Sequence, residues 1–432
     1  MHIDLNSCFA SVEQQANPLL RGVPVAVAAS AKPYGCILAP SVEAKLYGIK
    51  TGMTVAEGRS LCPFLVVREL DPPKYRQIHA QIGQLLREYS PHVVSKSIDE
   101  YCLVLPVPKG TILERNPWLQ AKDSPHGAHR VHKYSRNASR NEVIWEANGE
   151  GQSPTEIEAI ARDIKSRIKA EIGDYLRVSI GVSTNQILAK LASGLHKPDG
   201  YDVIDSTNYW DIYSQITLQD FCGINVRNEA RLHRVGIATA REFATASVQT
   251  LKAAFESTLG RYWYLRLRGY EIDDIVFARR SCGQSYVLPH PMTLTEWRPI
   301  LVKLVSKAAR RLRQAGYQAG TIHLALRFAD HTHWHQGQTL GGTLLFDDKD
   351  LVQAMLALYR GAPLLPVKKI AVTVAGITRG ESQLSLLSDL SRQKKLVTAL
   401  DKLNDKWGEY TVTYGSLLGS AGHVKDAIAF GK

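Results

Sequence analysis

The stretch "VVSKSIDEYCLVLPV", Val93 to Val107, sets two adjacent carboxylates, Asp99 and Glu100, between apolar segments that read as strand. Neighbours in a regular strand point to opposite faces, so one of the pair would face a core. A buried, unpaired carboxylate is costly. Two solutions are open. The chain turns here, as Ser97 and Asp99 favour, and both acids reach solvent. Alternatively, positive charge sits beside them, and a hard divalent cation such as Mg²⁺ takes carboxylate oxygens. The choice depends on whether another strand supplies a further acid.

The chain of 432 residues is too long for one core, so several domains are expected. Its net charge of +12 and sequence pI near 9.3 favour a polyanionic partner, nucleic acid ahead of a membrane surface. No apolar run has the length of a membrane span, and no signal-peptide pattern is seen. The six cysteines (Cys8, Cys36, Cys62, Cys102, Cys222, Cys282) are scattered without a Cys-x-x-Cys pair. That pattern speaks against a zinc or disulfide framework and for a reducing, cytoplasmic setting.

Periodicity and punctuation divide the chain. "HIDL" reads as a strand and "SCFASVEQQANP" as a helix stopped at Asn17-Pro18. "VPVAVAA" reads as a buried strand, and "EAKLYGIKTGMTVAEGRSLCP" as two short helices with a glycine break. From about 109 to 152 the chain is polar and basic and reads as an insertion. Ser153, Pro154 and Glu156 then start a helix with a capping box, and Gly173 ends it. "RVSIGVS" is a strand, "NQILAKLASGL" a helix and "YDVI" a strand. Short helices fill 206–270, with "RYWYLRLRG" as their core and Arg261, Arg266 and Arg268 outside. Further on, "LVKLVSKAARRLRQ" reads as a helix burying Leu301, Leu304, Val305, Ala308 and Leu312. Lys303, Lys307, Arg310 and Arg311 are expected on its outer side.

A third carboxylate stands at the start of the chain. "HIDLNSCFASVE" places Asp4 on the first strand just before a helix. Asp4, Asp99 and Glu100 could then converge at the strand ends of one small sheet. Carboxylates holding two divalent ions roughly 3.5–4 Å apart suit nucleotidyl transfer, although acids on short strands do not by themselves prove proximity.

These segments together resemble the Y-family of translesion DNA polymerases, most nearly its polymerase IV-like branch. "IDLNSCFASVEQQANP" resembles the family's opening motif, and "SIDE" its Ser-Ile-Asp-Glu. "VSIGVSTNQILAKLASGLHKPDGY" is similar to its Asn…Ala-Lys…Lys-Pro-x-Gly signature. "FCGINVRNEARLHRVGIATAREFA" resembles its helix-hairpin-helix, and "RRSCGQS" the joint before its last domain. The matches follow the family's order from residue 3 to about 390.

The resemblance implies an α+β multidomain right hand. The palm would be 1–10 and 70–205, the small fingers 11–69 and the helix-hairpin-helix thumb 206–273. A linker (274–285), an α+β little finger (286–378) and a C-terminal tail (379–432) would follow. It implies low-fidelity, template-directed DNA synthesis in damage tolerance, with two Mg²⁺ ions for which Mn²⁺ can substitute. Primer-template DNA and dNTP would be its partners, and a monomer its state. Asp4, Asp99 and Glu100 would be the catalytic, metal-binding acids, helped by the Leu5 carbonyl. Ser7 and Cys8 would meet the triphosphate at a helix start, with Lys45 and Lys197. Phe9 would be the aromatic gate against ribonucleotides. Gly223, Ile224, Asn225, Arg280 and Arg327 would hold DNA.

The fingers depart from the family's pattern. "SVEAK" has Val42 in the usual tyrosine position, Lys45 in the basic one, and Ala39 stands where a polar group often helps. Asn225 replaces a frequent glycine, and its tolerance of left-handed backbone is expected to preserve the turn. "HTHWH", His331 to His335, reads as a solvated loop rather than a metal site. "SQLSLLSD" resembles a sliding-clamp peptide through Gln383, Leu384, Leu386 and Leu387, with an ordinary amphipathic segment as the rival reading. Two other functions stay open on the residues alone: a non-catalytic adaptor on the same fold, and a helix-hairpin-helix DNA-binding protein whose acids are structural.

Overall fold

The protein, seen in a computed structural model, is described for residues 1–106, 153–273, 280–341, 344–379, 390–417, 420 and 422–424. The 109–152 insertion and the Gln383–Leu387 peptide lie outside the described residues. Two compact units are present, Met1–Ile275 with Ala427–Lys432, and Val276–Asp426.

The first unit opens with β1 (His2–Leu5) and α1 (Cys8–Ala16). A small sheet of β2 (Val25–Ala28), β3 (Ile37–Pro40) and β4 (Val66–Glu69) follows, in order β3-β2-β4. It carries α2 (Val42–Leu46) and α3 (Val55–Leu61), the two short helices legible in the sequence. Next come α4 (Pro72–Leu86), the hairpin β5 (Val93–Ser95) and β6 (Glu100–Leu103), and α5 (Pro154–Arg167). Ser153 and Glu156 form the expected capping box at the start of α5. The unit continues with β7 (Val178–Ser183), α6 (Gln186–Leu195) and β8 (Tyr201–Ile204).

The larger sheet runs β5-β6-β1-β7-β8, antiparallel except for the β7–β8 pair. Strand alternation gives it two different faces. Ile3, Leu5, Tyr101, Leu103, Val178 and Ile180 are buried in one core with residues of α4 and α5. On the other face α6 lies directly on Gly181, where a Cβ would come within 2.1 Å of the Ala189 carbonyl oxygen. His2, Asp4 and Glu100 share that second face, because His2 pairs with Gly181 and Asp4 with Glu100.

Five short helices complete the unit: α7 (Tyr209–Gln215), α8 (Val226–Arg234), α9 (Ala240–Thr245), α10 (Val248–Phe255) and α11 (Leu259–Arg266). Trp263, Phe221 and Phe243 form an aromatic centre among them. Two expectations need correction. Arg266 is ion-paired with Asp273 over Trp263, and Arg268 lies 3.7 Å from the Tyr264 ring centroid, so neither is simply outside. Asn225 is not left-handed: Gly223 takes the positive φ of 103°, while Asn225 is extended and accepts from the Asn228 amide as an N-cap.

The second unit is a four-stranded sheet, β11-β10-β12-β9, made from β9 (Ser281–Met292), β10 (Tyr317–Phe328), β11 (His333–Thr339) and β12 (Val367–Arg379). Helices α12 (Leu294–Gln314) and α13 (Asp348–Tyr359) share its core. Strand β9 begins inside the segment read as linker, and β11 takes up His333–His335 of the segment read as loop. The tail helix α14 (Leu390–Trp407) belongs to the same unit. Three cations expected on the outer side of α12 are instead engaged by tail residues. Lys303 donates to the His423 carbonyl at 2.6 Å, Lys307 to the Val424 carbonyl at 3.1 Å, and Arg310 pairs with Asp405 and Glu409. Only Arg311 of the four is exposed, bonded to Gln284 of β9.

Candidate active site

The chain does turn at the paired acids, and positive charge does sit beside them. Residues 96–99 cap the β5–β6 hairpin, with the Lys96 amide donating to the Glu100 carbonyl at 2.9 Å. Glu100 starts β6 directly opposite Asp4 of β1. Its carboxylate is 17% exposed and holds the Lys190 ammonium of α6 through both oxygens at 2.8 Å. Asp4 is 13% exposed and pairs with Lys197 at 2.7 Å. Burial raises the Asp4 carboxyl above its ordinary range despite the ammonium beside it. Burial also pulls on Lys190, but the Glu100 carboxylate outweighs it and the ammonium ends up raised.

Asp99 is held differently. Its carboxylate accepts from the Ser97 hydroxyl at 2.5 Å, and its carbonyl accepts from the Leu5 amide at 2.8 Å. The closest group of metal-type donors among the described residues is His2, Asp4 and Glu100, with ligand atoms within 4.8 Å of one another. His2 had no role in the sequence reading. Its buried Nε2 has no hydrogen-bond partner, and burial pushes the imidazole down to about 3, so it is neutral.

A cleft of about 240 Å³ opens beside these acids. Asp4, Leu5, Ser7, Cys8, Phe9, Lys45, Asp99 and Lys197 line it, so eight of the residues expected to meet metal or nucleotide come together here. Leu38, Ala39 and Pro40 of β3, Thr51 from the turn between α2 and α3, and Ser97 and Ile98 from the hairpin tip complete the lining. Val42 does not line it. Ser7 caps α1 with φ 49°, and its hydroxyl oxygen is buried without a partner. Burial, with Asp99 and Asp4 nearby, pushes the Cys8 thiol up. Burial and the neighbouring Lys197 lower the Lys45 ammonium. Phe9 is buried and stacks on Tyr75.

Two supporting residues escaped the sequence reading. Asn6 accepts from the Asp199 amide at 2.7 Å and bonds Ser179, tying the turn that carries Lys197 to the end of β1. Lys190 was visible as the lysine of the Ala-Lys pair in the signature that ends at Tyr201, but no role was read for it.

Gly223, Ile224 and Asn225 of the helical hairpin are not among the residues lining this cleft, and Arg280 and Arg327 belong to the second unit. Gly223 and Asn225 are exposed at the start of α8, and Ile224 is buried. Arg280 is exposed before β9, and Arg327 is exposed on β10, bonded to His331.

The impB/mucB/samB family matches residues 3–194, and its C-terminal domain matches residues 279–386. A DNA polymerase IV of Moorella thermoacetica is 31% identical, over 97% of this chain and 96% of its own length. The chain belongs to the impB/mucB/samB family. Another relative, the DNA polymerase IV of Pelotomaculum thermopropionicum, is 29% identical over 98% of this chain and 96% of its own length. The solved Y-family DNA polymerase chimera Dbh-Dpo4(243-245)-Dbh shares the fold, with a TM-score of 0.66 and 21% identity over 88% of this chain and 99% of that one. The α+β multidomain polymerase architecture expected from the sequence is therefore the one this impB/mucB/samB chain adopts. Among its described residues, no helix is long and apolar enough to cross a membrane.

Proposed function

We propose that this chain is a template-directed DNA polymerase of the translesion class, adding deoxynucleotides to a primer end. The observation that carries this reading is the cross-strand pair Asp4–Glu100 beside a cleft that also holds Asp99, Phe9, Lys45 and Lys197. Y-family polymerases are metal-dependent, and the donor set here fits hard divalent ions: carboxylate oxygens, two of whose owners already hold an ammonium. Asp4, Asp99, Glu100 and the Leu5 carbonyl would hold two Mg²⁺ ions. When bound, these supply Lewis-acid stabilisation of the reacting phosphate.

The chain's own groups do the rest. Ser7, at the start of α1, offers backbone amides and an unpartnered hydroxyl to a triphosphate. Lys45 and Lys197 add cationic charge to the same cleft. Lys197 leaves Asp4 to do so, which frees that carboxylate for a metal ion. Phe9 fills the space beside the sugar and excludes a 2′-hydroxyl. Gly223, Asn225, Arg280 and Arg327 hold DNA by its phosphates, with the little helix-hairpin-helix contributing amides.

An adaptor without catalysis would have no use for Asp4 and Asp99 lining one cleft with Glu100 opposite Asp4. Primer extension with Mg²⁺ tests the proposal. Asp99→Ala and Glu100→Ala should each lose at least ~100-fold in rate, on the scale of deleting one key electrostatic group. DNA binding should persist, because removing negative charge does not weaken the grip on a polyanion. Extension at the wild-type rate in both variants would return the acids to a structural role.

A further inference from the structure

We propose that His79 is a positioning residue for Asp99, and that it sets how tightly the active site holds its divalent cation. The inference rests on reading Asp99 as a metal-holding carboxylate. Asp99 lies at a hairpin tip, where a backbone is free to move unless its peptide groups are tied down. Both peptides flanking its Cα are tied, from opposite sides. The Asp99 carbonyl accepts from the Leu5 amide of β1 at 2.8 Å. The Ile98 carbonyl takes a hydrogen bond from His79 Nδ1 at 2.9 Å, reaching across from α4.

Nδ1 also lies 2.6 Å from the Tyr101 hydroxyl. Because that hydroxyl spends its hydrogen on the His79 carbonyl, Nδ1 donates to both the Ile98 carbonyl and the Tyr101 oxygen, and in the neutral ring Nε2 is the acceptor. Ser95 Oγ, on the strand entering the turn, lies 3.3 Å from that Nε2. On the strand leaving the turn, the Tyr101 ring stacks on the imidazole with centroids 4.7 Å apart. Its hydroxyl donates to the His79 carbonyl. One side chain therefore touches the turn at its entrance, middle and exit.

The helix is shaped for this arrangement. Gly83, one turn beyond His79 on the same face of α4, leaves room for Tyr101; a Cβ there would meet the ring and hydroxyl at 3.3 Å. With three ties gone, the Ile98–Asp99 peptide could rotate, and the carboxylate would no longer be presented at a fixed place. Groups that orient metal ligands typically change metal affinity 10–100-fold when lost.

Three variants of the full-length chain separate this role from simple packing. His79→Ala removes the ring and its donor and leaves only the backbone carbonyl that accepts from Tyr101, His79→Phe keeps a ring against Tyr101 without the donor, and His79→Asn keeps an N–H at the position of Nδ1. The readouts are the half-saturating Mg²⁺ for primer extension, the dNTP KM at saturating Mg²⁺, and Mn²⁺ binding. Mn²⁺ binding is measured by electron paramagnetic resonance with a dideoxy-terminated primer and dNTP. His79→Ala and His79→Phe should raise half-saturating Mg²⁺ and weaken Mn²⁺ binding by about tenfold, with KM unchanged. His79→Asn should restore most of both.

Unchanged metal dependence in His79→Phe would overturn the proposal, as would equal loss in His79→Asn and His79→Ala. Asp99→Ala runs beside them. If it extends primers and binds Mn²⁺ like wild type, the underlying reading of Asp99 has failed. If it is inactive while His79→Phe is normal, only the role of His79 has failed.

Discussion

Phe9 and Tyr75 stack with ring centroids 4.5 Å apart and planes inclined by 21°. Tyr75 is fixed in turn, donating its hydroxyl to Glu13 at 2.8 Å, and Glu13 is held by Lys74 at 2.9 Å. Glu13 is almost fully buried, so this is an anchored wall rather than a surface contact. Phe9→Ala should admit ribonucleotides, lowering discrimination by roughly 10–200-fold, the range expected for one apolar group in a pocket. Tyr75→Leu should give a smaller loss in the same direction by freeing the Phe9 ring. Single-nucleotide insertion of dNTP and rNTP measures both, and unchanged ratios would remove Phe9 from the gate.

Lys190 sets its ammonium 2.8 Å from both carboxylate oxygens of Glu100, the residue directly opposite Asp4 of β1. Lys190→Met leaves two partly buried carboxylates facing each other. Its melting temperature in EDTA should fall below that of the wild-type protein. Added Mg²⁺ should recover more stability in the variant, by the mass-action stabilisation of a ligand that binds only the folded state. Equal melting temperatures in EDTA would show that Lys190 does not balance Glu100.

Arg313 joins α12 to both α13 and the tail. It is 13% exposed, pairs with Asp401 through two nitrogens at 2.7 and 2.8 Å, and reaches Asp348 at 2.6 Å. Arg313→Ala strands two acids in a half-buried site. Breaking such a pair from one side costs about 3–5 kcal/mol where burial is complete, so a loss near the lower end is expected. Thermal unfolding of the intact chain should show the transition of the second unit moved down, with the first unit's unchanged.

The β10 and β12 residues on the face away from α12 are Thr321, His323, Ala325 and Arg327, and Lys369, Ala371, Thr373 and Ala375. They carry cations and small groups but no acid, which suits a phosphate backbone. DNA affinity should therefore fall steeply with salt and vary little with sequence. Arg327→Ala with Lys369→Ala should flatten the slope of log K against log salt by about 2, given roughly 0.9 per phosphate contact. Titrations on unrelated duplexes at several salt concentrations decide it.

Much was legible before the fold was known, for local reasons. The capping box of Ser153 and Glu156 uses residues three apart, so the start of α5 is encoded in adjacent sequence. The same holds for the hairpin at Asp99, where turn-forming residues sit between two apolar runs. Family motifs then gathered Asp4, Ser7, Phe9, Lys45, Asp99 and Lys197, and all of them line one cleft.

What the sequence could not carry were pairings across long chain separations. Lys190 reaches Glu100 because Gly181 lets α6 lie flat on the sheet. Lys303, Lys307 and Arg310 read as a solvated face, since helical periodicity marks only the apolar stripe and is silent on what covers the other side. The tail covers it, with carbonyls and acids from about a hundred residues away. Propensity and spacing act over a few residues, and so they determined elements and motifs. Charge partners are chosen by proximity in space, and only the packed tertiary structure decided those.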